Sequence, residues 1–213
     1  MTPAITTSAV MVTYGTKALI DQSVSTLRAV CPQLHLTIVD GSEDFACASF
    51  VRTLAGPLCT VHSLGSNIGH GRGLNYAILR SVTSWVLCID SDVHFIADPL
   101  PAMLALTTPE TYAVGPLVLM GRDGLRRNPV RDVPYVEPWL MLVRRAAYDR
   151  WPAFVHHGSP LYKTMNAIND AGESALRLQP FTAVDAYAVH LWGGTRKFNT
   201  AHGKPETPML WDR

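Results

Sequence analysis

Apolar residues in the first half of the chain fall into short unbroken runs that alternate with stretches where they recur every three or four positions. The runs from Ala9 to Tyr14, Leu36 to Val39, Cys59 to Leu64 and Trp85 to Ile89 predict strands. The stretches from about Lys17 to Val30, Asp44 to Leu54 and Gly73 to Ser81 predict helices. This βαβ rhythm implies an α/β domain with a mostly parallel central sheet covered by helices. Trp85-Val86-Leu87-Cys88-Ile89 contains no polar position, as expected of a strand buried on both faces. In such sheets ligands bind outside the carboxyl ends of the strands.

The second half is less regular. Pro99 and Pro101 break its start, and Gly121-Arg122-Asp123-Gly124 is a turn signal. An apolar strand from Trp139 to Val143 precedes a short helix. Ser159-Pro160 reads as an N-cap with proline at the first helical position, followed by Leu161, Met165 and Ile168 on one face and Gly172 as the stop. Two short strands then lead to His190, and the tail beyond Lys197 has no period. The chain reads as one domain over residues 1–213, divided into halves at 1–95 and 96–213, with no internal repeat.

Composition narrows the class of ligand. A net charge of +1, with 47% hydrophobic and 16% charged residues, offers no general attraction to nucleic acid or an anionic membrane, so any polyanion must be bound locally. The cysteines Cys31, Cys47, Cys59 and Cys88 show no paired C-x-x-C spacing and fit free thiols in a reducing cytoplasm. Ala9-Val10-Met11-Val12 is too short an apolar run for a signal peptide, and no run approaches the roughly 18 residues of a membrane span, so the expectation is a soluble protein, at most peripheral to a membrane.

Polar residues stand at the end of every predicted strand of the first half: Thr13, Tyr14 and Gly15, then Asp40, then Asn67, then Asp90-Ser91-Asp92. Each alone is compatible with an ordinary strand-ending turn. Four at successive strand ends predict one cleft. In extended backbone the two carboxylates of Asp90-Ser91-Asp92 lie on one side of the chain and share a cation. A hard ion such as Mg2+ or Mn2+ takes one or two protein carboxylates and completes its sphere with water and phosphate oxygens, so the triplet implies a diphosphate ligand. The segment Asn67-Ile68-Gly69-His70-Gly71-Arg72-Gly73-Leu74-Asn75 lets backbone approach a ligand where a strand turns into a helix, and Arg72 adds a phosphate contact.

Val12-Thr13-Tyr14-Gly15, Ile38-Val39-Asp40-Gly41-Ser42, the Asn67 to Asn75 segment and Leu87-Cys88-Ile89-Asp90-Ser91-Asp92-Val93 together resemble family 2 glycosyltransferases of the GT-A fold, notably rhamnosyltransferase-like members. The resemblance is good over roughly the first hundred residues and returns at Trp139-Leu140-Met141-Leu142-Val143-Arg144-Arg145. It implies a Rossmann-like nucleotide-diphospho-sugar transferase domain, with residues 1–95 binding the donor and 96–213 facing the acceptor. The implied activity is metal-dependent hexosyl transfer from a UDP- or dTDP-sugar to a hydroxyl acceptor in glycan or glycoconjugate synthesis. Thr13, Tyr14, Gly15 and Asp40 would hold the nucleoside, with Asp40 on the base; Asn67, Gly71, Arg72 and Asn75 would line the nucleotide-sugar. Ser91 would touch the donor, Asp90 the ribose or the metal, and Asp92 the metal, Mn2+ or Mg2+. His190 resembles the late histidine that completes the metal site in many members.

One departure concerns the catalytic base. Inverting members open a helix with Glu-Asp after a glycine, but Gly158 is followed by Ser159-Pro160. The carboxylates left are Glu137, Asp170, Glu173 and Asp185, with His156 and His157 as imidazole alternatives; inversion is preferred, and a retaining mechanism stays open. Two other functions fit parts of the chain. A catalytically silent nucleotide-sugar-binding domain would lack the base. A Rossmann NAD-dependent oxidoreductase would use Gly69-His70-Gly71-Arg72-Gly73, whose G-x-G-x-G spacing lacks the final glycine of that fingerprint.

Overall fold

The computed structural model describes residues 6–125, 132–155 and 158–191. The first half alternates β1 (Thr7–Thr13), α1 (Lys17–Val30), β2 (His35–Asp40), α2 (Phe45–Thr53), β3 (Cys59–Ser63), α3 (His70–Arg80) and β4 (Trp85–Asp90). Asp44 caps α2, its carboxylate accepting from the Cys47 N–H at 3.0 Å. Helix α3 begins at His70, earlier than the expected Gly73, because Gly69 takes a left-handed φ of +90° and the Asn67 side chain accepts its N–H at 3.0 Å.

The remainder comprises β5 (Val93–Phe95), α4 (Leu100–Ala105), β6 (Ala113–Gly115), β7 (Leu117–Met120), β8 (Val133–Val136), β9 (Leu140–Arg144), α5 (Arg145–Tyr148), α6 (Tyr162–Asp170), α7 (Ser174–Arg177), β10 (Leu178–Pro180), a 3-10 turn (Val184–Ala186) and β11 (Ala188–His190). The central sheet has seven strands in the order β10-β6-β9-β4-β1-β2-β3. Neighbours run parallel except around β9, which is antiparallel to both β4 and β6. Two small antiparallel ribbons, β5 with β11 and β7 with β8, lie outside it. Ser159 is not the cap of α6: its hydroxyl donates to the Gly124 carbonyl at 2.6 Å, and the helix starts at Tyr162. Gly172, at φ +72°, follows α6 as expected.

Side chains alternate between two cores, one on each face of the sheet. Ala9, Met11, Leu36, Ile38, Leu87 and Ile89 meet Ile20 and Leu27 of α1 and Val51 of α2. Val10, Val39, Val86 and Cys88 meet Leu74, Ala77 and Ile78 of α3 and Met165 and Ile168 of α6. Strand period 2 thus feeds both layers, which is why the central positions of these strands are largely apolar. Among the described residues no helix is long and apolar enough to cross a membrane.

Candidate active site

Register brings the strand ends together. In the parallel ladders Thr13 lies opposite Asp40, Val12 opposite Asp90, and Asp40 opposite Ser63, so β1, β2, β3 and β4 end at one edge of the sheet. Asp40 is wholly buried, and a buried carboxylate must be hydrogen-bonded to persist. Its Oδ1 accepts from Thr13 Oγ1 at 2.9 Å, from the Ser42 N–H at 3.1 Å and from Ser42 Oγ at 2.6 Å. Ser42 Oγ in turn accepts from the Gly15 N–H at 2.8 Å. Asp40 therefore ties the loops after β1 and β2 into one unit, while its Oδ2 is sealed and has no hydrogen bond among the described residues.

Asp90 ends β4, Ser91 and Asp92 form the turn to β5, and the β5–β11 pairing lays His190 opposite Val93. The Leu191 N–H continues that ladder to the Asp92 carbonyl at 3.1 Å. His190 Nε2 thereby stands 3.1 Å from Asp92 Oδ1 and 3.6 Å from Asp90 Oδ2. One ligand atom from each of Asp90, Asp92 and His190 falls within 4.8 Å of the others. For bonds of about 2.1 Å, adjacent ligands of an octahedron are separated by about 3 Å, so the spacing fits a small divalent cation. Two carboxylates and an imidazole fit Mn2+, with Mg2+ as the harder alternative.

Two residues that the pattern of strand ends did not single out adjoin this cluster. His70, the first residue of α3, places Nε2 3.0 Å from Asp90 Oδ1. Burial acts to lower its pKa, but the Asp90 carboxylate and, behind it, Asp92 outweigh that and raise it above the ordinary histidine value. Trp139, just before β9, stacks on the His190 ring with centroids 4.9 Å apart and 18° between planes. Its Nε1–H donates to Glu137 Oε2 at 3.1 Å, and both residues are buried.

The other expected residues are distributed as follows. Tyr14 and Gly15 are half-buried after β1, and Ser91 is buried beside the carboxylates. Asn67 and Arg72 are exposed around the start of α3, with Gly71 buried between them. Asn75 accepts from the Tyr148 hydroxyl at 3.0 Å, a link from α3 to α5. Asp170 is held by Arg122 at 2.6 Å and Glu173 by Arg177 at 2.5 Å, and Asp185 is exposed on the 3-10 turn. His156 and His157 lie outside the described residues.

Several solved structures share the fold. A mannosyltransferase from Pyrobaculum calidifontis, in complex with GDP-Man and Mn2+, superposes with a TM-score of 0.60 at 18% identity, over 82% of this chain and 54% of that one. GalNAc-T7 with UDP, GalNAc and Mn2+ gives 0.53 at 10% identity, over 70% and 36%. S. aureus TarS gives 0.57 at 17% identity, over 91% and 38%. The chain thus spans about half or less of the length of these three neighbours. No curated protein matches it. The family model for glycosyl transferase family 2 matches residues 8–168, which takes in β1 to α6 and the Asp90-Ser91-Asp92 turn and sets aside the oxidoreductase alternative. By that match across most of its length, the chain belongs to glycosyl transferase family 2.

Proposed function

We propose that the protein transfers a sugar from a nucleoside-diphosphate donor, of the uridine or deoxythymidine class, to a hydroxyl acceptor, with Mn2+ or Mg2+ held by Asp90, Asp92 and His190. The observation that carries this is the convergence of those three side chains at the carboxyl edge of the sheet. Two fold neighbours are complexes with Mn2+ and a nucleotide or nucleotide sugar, which supports a metal and a diphosphate donor for this fold. Residues 1–95 bind the donor and residues 96–213 present the acceptor.

On the donor side, Asp40 orders the Thr13-Tyr14-Gly15 and Gly41-Ser42 loops that hold the nucleoside. Asn67, before α3, and Gly71, Arg72 and Asn75, on it, line the nucleotide-sugar. A bound cation supplies charge stabilisation for the departing diphosphate. The bond from the anomeric carbon to the phosphate oxygen breaks as the acceptor oxygen forms the new glycosidic bond from the opposite face. Glu137 takes the acceptor proton in this inverting scheme, because it is the base candidate joined to the cluster, through Trp139 and His190. Asp170 and Glu173 are instead engaged by arginines. The four buried free thiols support a reducing, cytoplasmic setting.

The test is nucleoside-diphosphate release across a panel of UDP-, dTDP- and GDP-sugars with and without Mn2+, run beside thermal shift. A true donor stabilises the fold by about 2.7 kcal/mol at a hundredfold excess over its Kd. Release with a matching shift supports the transferase, whereas a shift without release identifies a silent binding domain. Glu137→Gln should lower kcat by about 10²–10⁴-fold at unchanged donor KM if it is the base.

A further inference from the structure

The Asp90 carboxylate is divided between two imidazoles. Oδ2 faces His190 at 3.6 Å, while Oδ1 faces His70 at 3.0 Å. Oδ1 and His70 Nε2 are both sealed from solvent, and neither has an aligned hydrogen bond among the described residues. Two buried polar atoms in contact but out of line are costly as they stand, and a small turn of the imidazole brings an Nε2–H onto the carboxylate lone pair.

We propose that His70 is the positioning residue of the cation site, its Nε2–H holding Asp90 Oδ1 so that Oδ2 stays turned toward Asp92 and His190. This rests on the metal site proposed above. His70 is not itself a ligand in this arrangement, since the donor atoms gathered within 4.8 Å are those of Asp90, Asp92 and His190. Nor does it contact the donor through Nε2, which is closed to solvent. Its backbone is set by the Gly69 turn and the Asn67 side chain, and the imidazole meets the Asp90 oxygen other than the one that faces His190. Ligating carboxylates without their outer hydrogen-bond partner lose orientation, and removal of such a partner weakens metal affinity by roughly 10–100-fold.

Mn2+ titrated into metal-free protein, followed by quenching of tryptophan fluorescence, reads the site directly because Trp139 lies on His190. His70→Ala should weaken Mn2+ binding by roughly 10–100-fold. His70→Gln, which carries an N–H at the reach of Nε2, should recover most of the affinity. His70→Asn, whose amide is too short, should not; the Gln and Asn variants keep the comparison open if the alanine variant folds poorly. Melting temperatures without metal should be alike for the Gln and Asn variants. Wild-type affinity in His70→Ala, or Gln as weak as Asn, overturns the positioning role. A wild type that binds no Mn2+ overturns the cation site itself, a different failure.

Discussion

The Trp139 indole covers one face of the His190 imidazole at 4.9 Å and donates its own N–H to the buried Glu137 carboxylate. A ring so stacked has little freedom to turn, and an offset aromatic pair is worth about 0.5–1.5 kcal/mol beyond its buried area. Trp139→Phe keeps a ring over His190 and removes the donor to Glu137. It should leave Mn2+ affinity near that of wild type, by calorimetry, while costing about 1–3 kcal/mol in urea denaturation because Glu137 loses a partner in a buried place. A large loss of Mn2+ affinity with no loss of stability would contradict that division.

Asp92→Ala should abolish metal-dependent donor turnover with the metal-free fold intact. His190→Ala should leave turnover measurable but raise the Mn2+ concentration for half-maximal rate, and Mn2+ should support faster turnover than Mg2+. An unchanged Mn2+ dependence in His190→Ala would return His190 to a purely structural role.

Asp40→Ala should raise donor KM more than it lowers kcat, since nucleoside contacts are made equally in ground and transition states. The loss of the acceptor for Thr13 and Ser42 should also cost about 1–3 kcal/mol of stability. Asp40→Asn, which keeps an oxygen toward Thr13, should fall between. A collapsed kcat at unchanged KM would place Asp40 in the chemical step instead.

Gly73 packs α3 tightly on β1: a Cβ there would lie 2.7 Å from Val12 Cγ2. Gly73→Ala gains roughly 1 kcal/mol of helix propensity but pushes the helix off the sheet at about 1–3 kcal/mol, so the clash prevails. Denaturation should show a less stable protein, and Val12→Ala in the same chain should restore part of the loss. Additive costs of the two substitutions would show that they do not share that contact.

Burial, aided by a hydrogen bond to Asp98, pushes the Cys31 thiol up to about 12. Burial and the nearby Asp90 raise Cys88 further, and burial raises Cys59 against the pull of Arg28. These thiols should resist alkylation at mildly alkaline pH in the folded state and react quickly in urea, as peptide mapping would show. Rapid labelling of Cys88 in native conditions would mean that the sheet opens locally.

The sequence by itself determined the first sheet layers and the edge at which the site lies. The apolar runs ending at Thr13, Asp40 and Asp90, separated by helix-length stretches, call for neighbouring parallel strands buried on both faces, and period 2 then dictates which residues meet each helix layer. The paired carboxylates of Asp90-Ser91-Asp92 were legible for the same local reason. The short apolar approach to His190 and the family resemblance pointed to that residue, but how it reaches the carboxylates was decided by tertiary structure. His190 is 98 positions from Asp92, and its approach depends on the pairing of two three-residue strands, β5 and β11, too short to register as periodicity. The antiparallel insertion of β9 between β4 and β6, which brings Trp139 onto that histidine with Glu137 behind the indole N–H, likewise follows from packing against non-local neighbours. His70 stood in a glycine-rich turn whose direction depends on a single positive φ at Gly69, and no local pattern encodes which carboxylate such a turn will face.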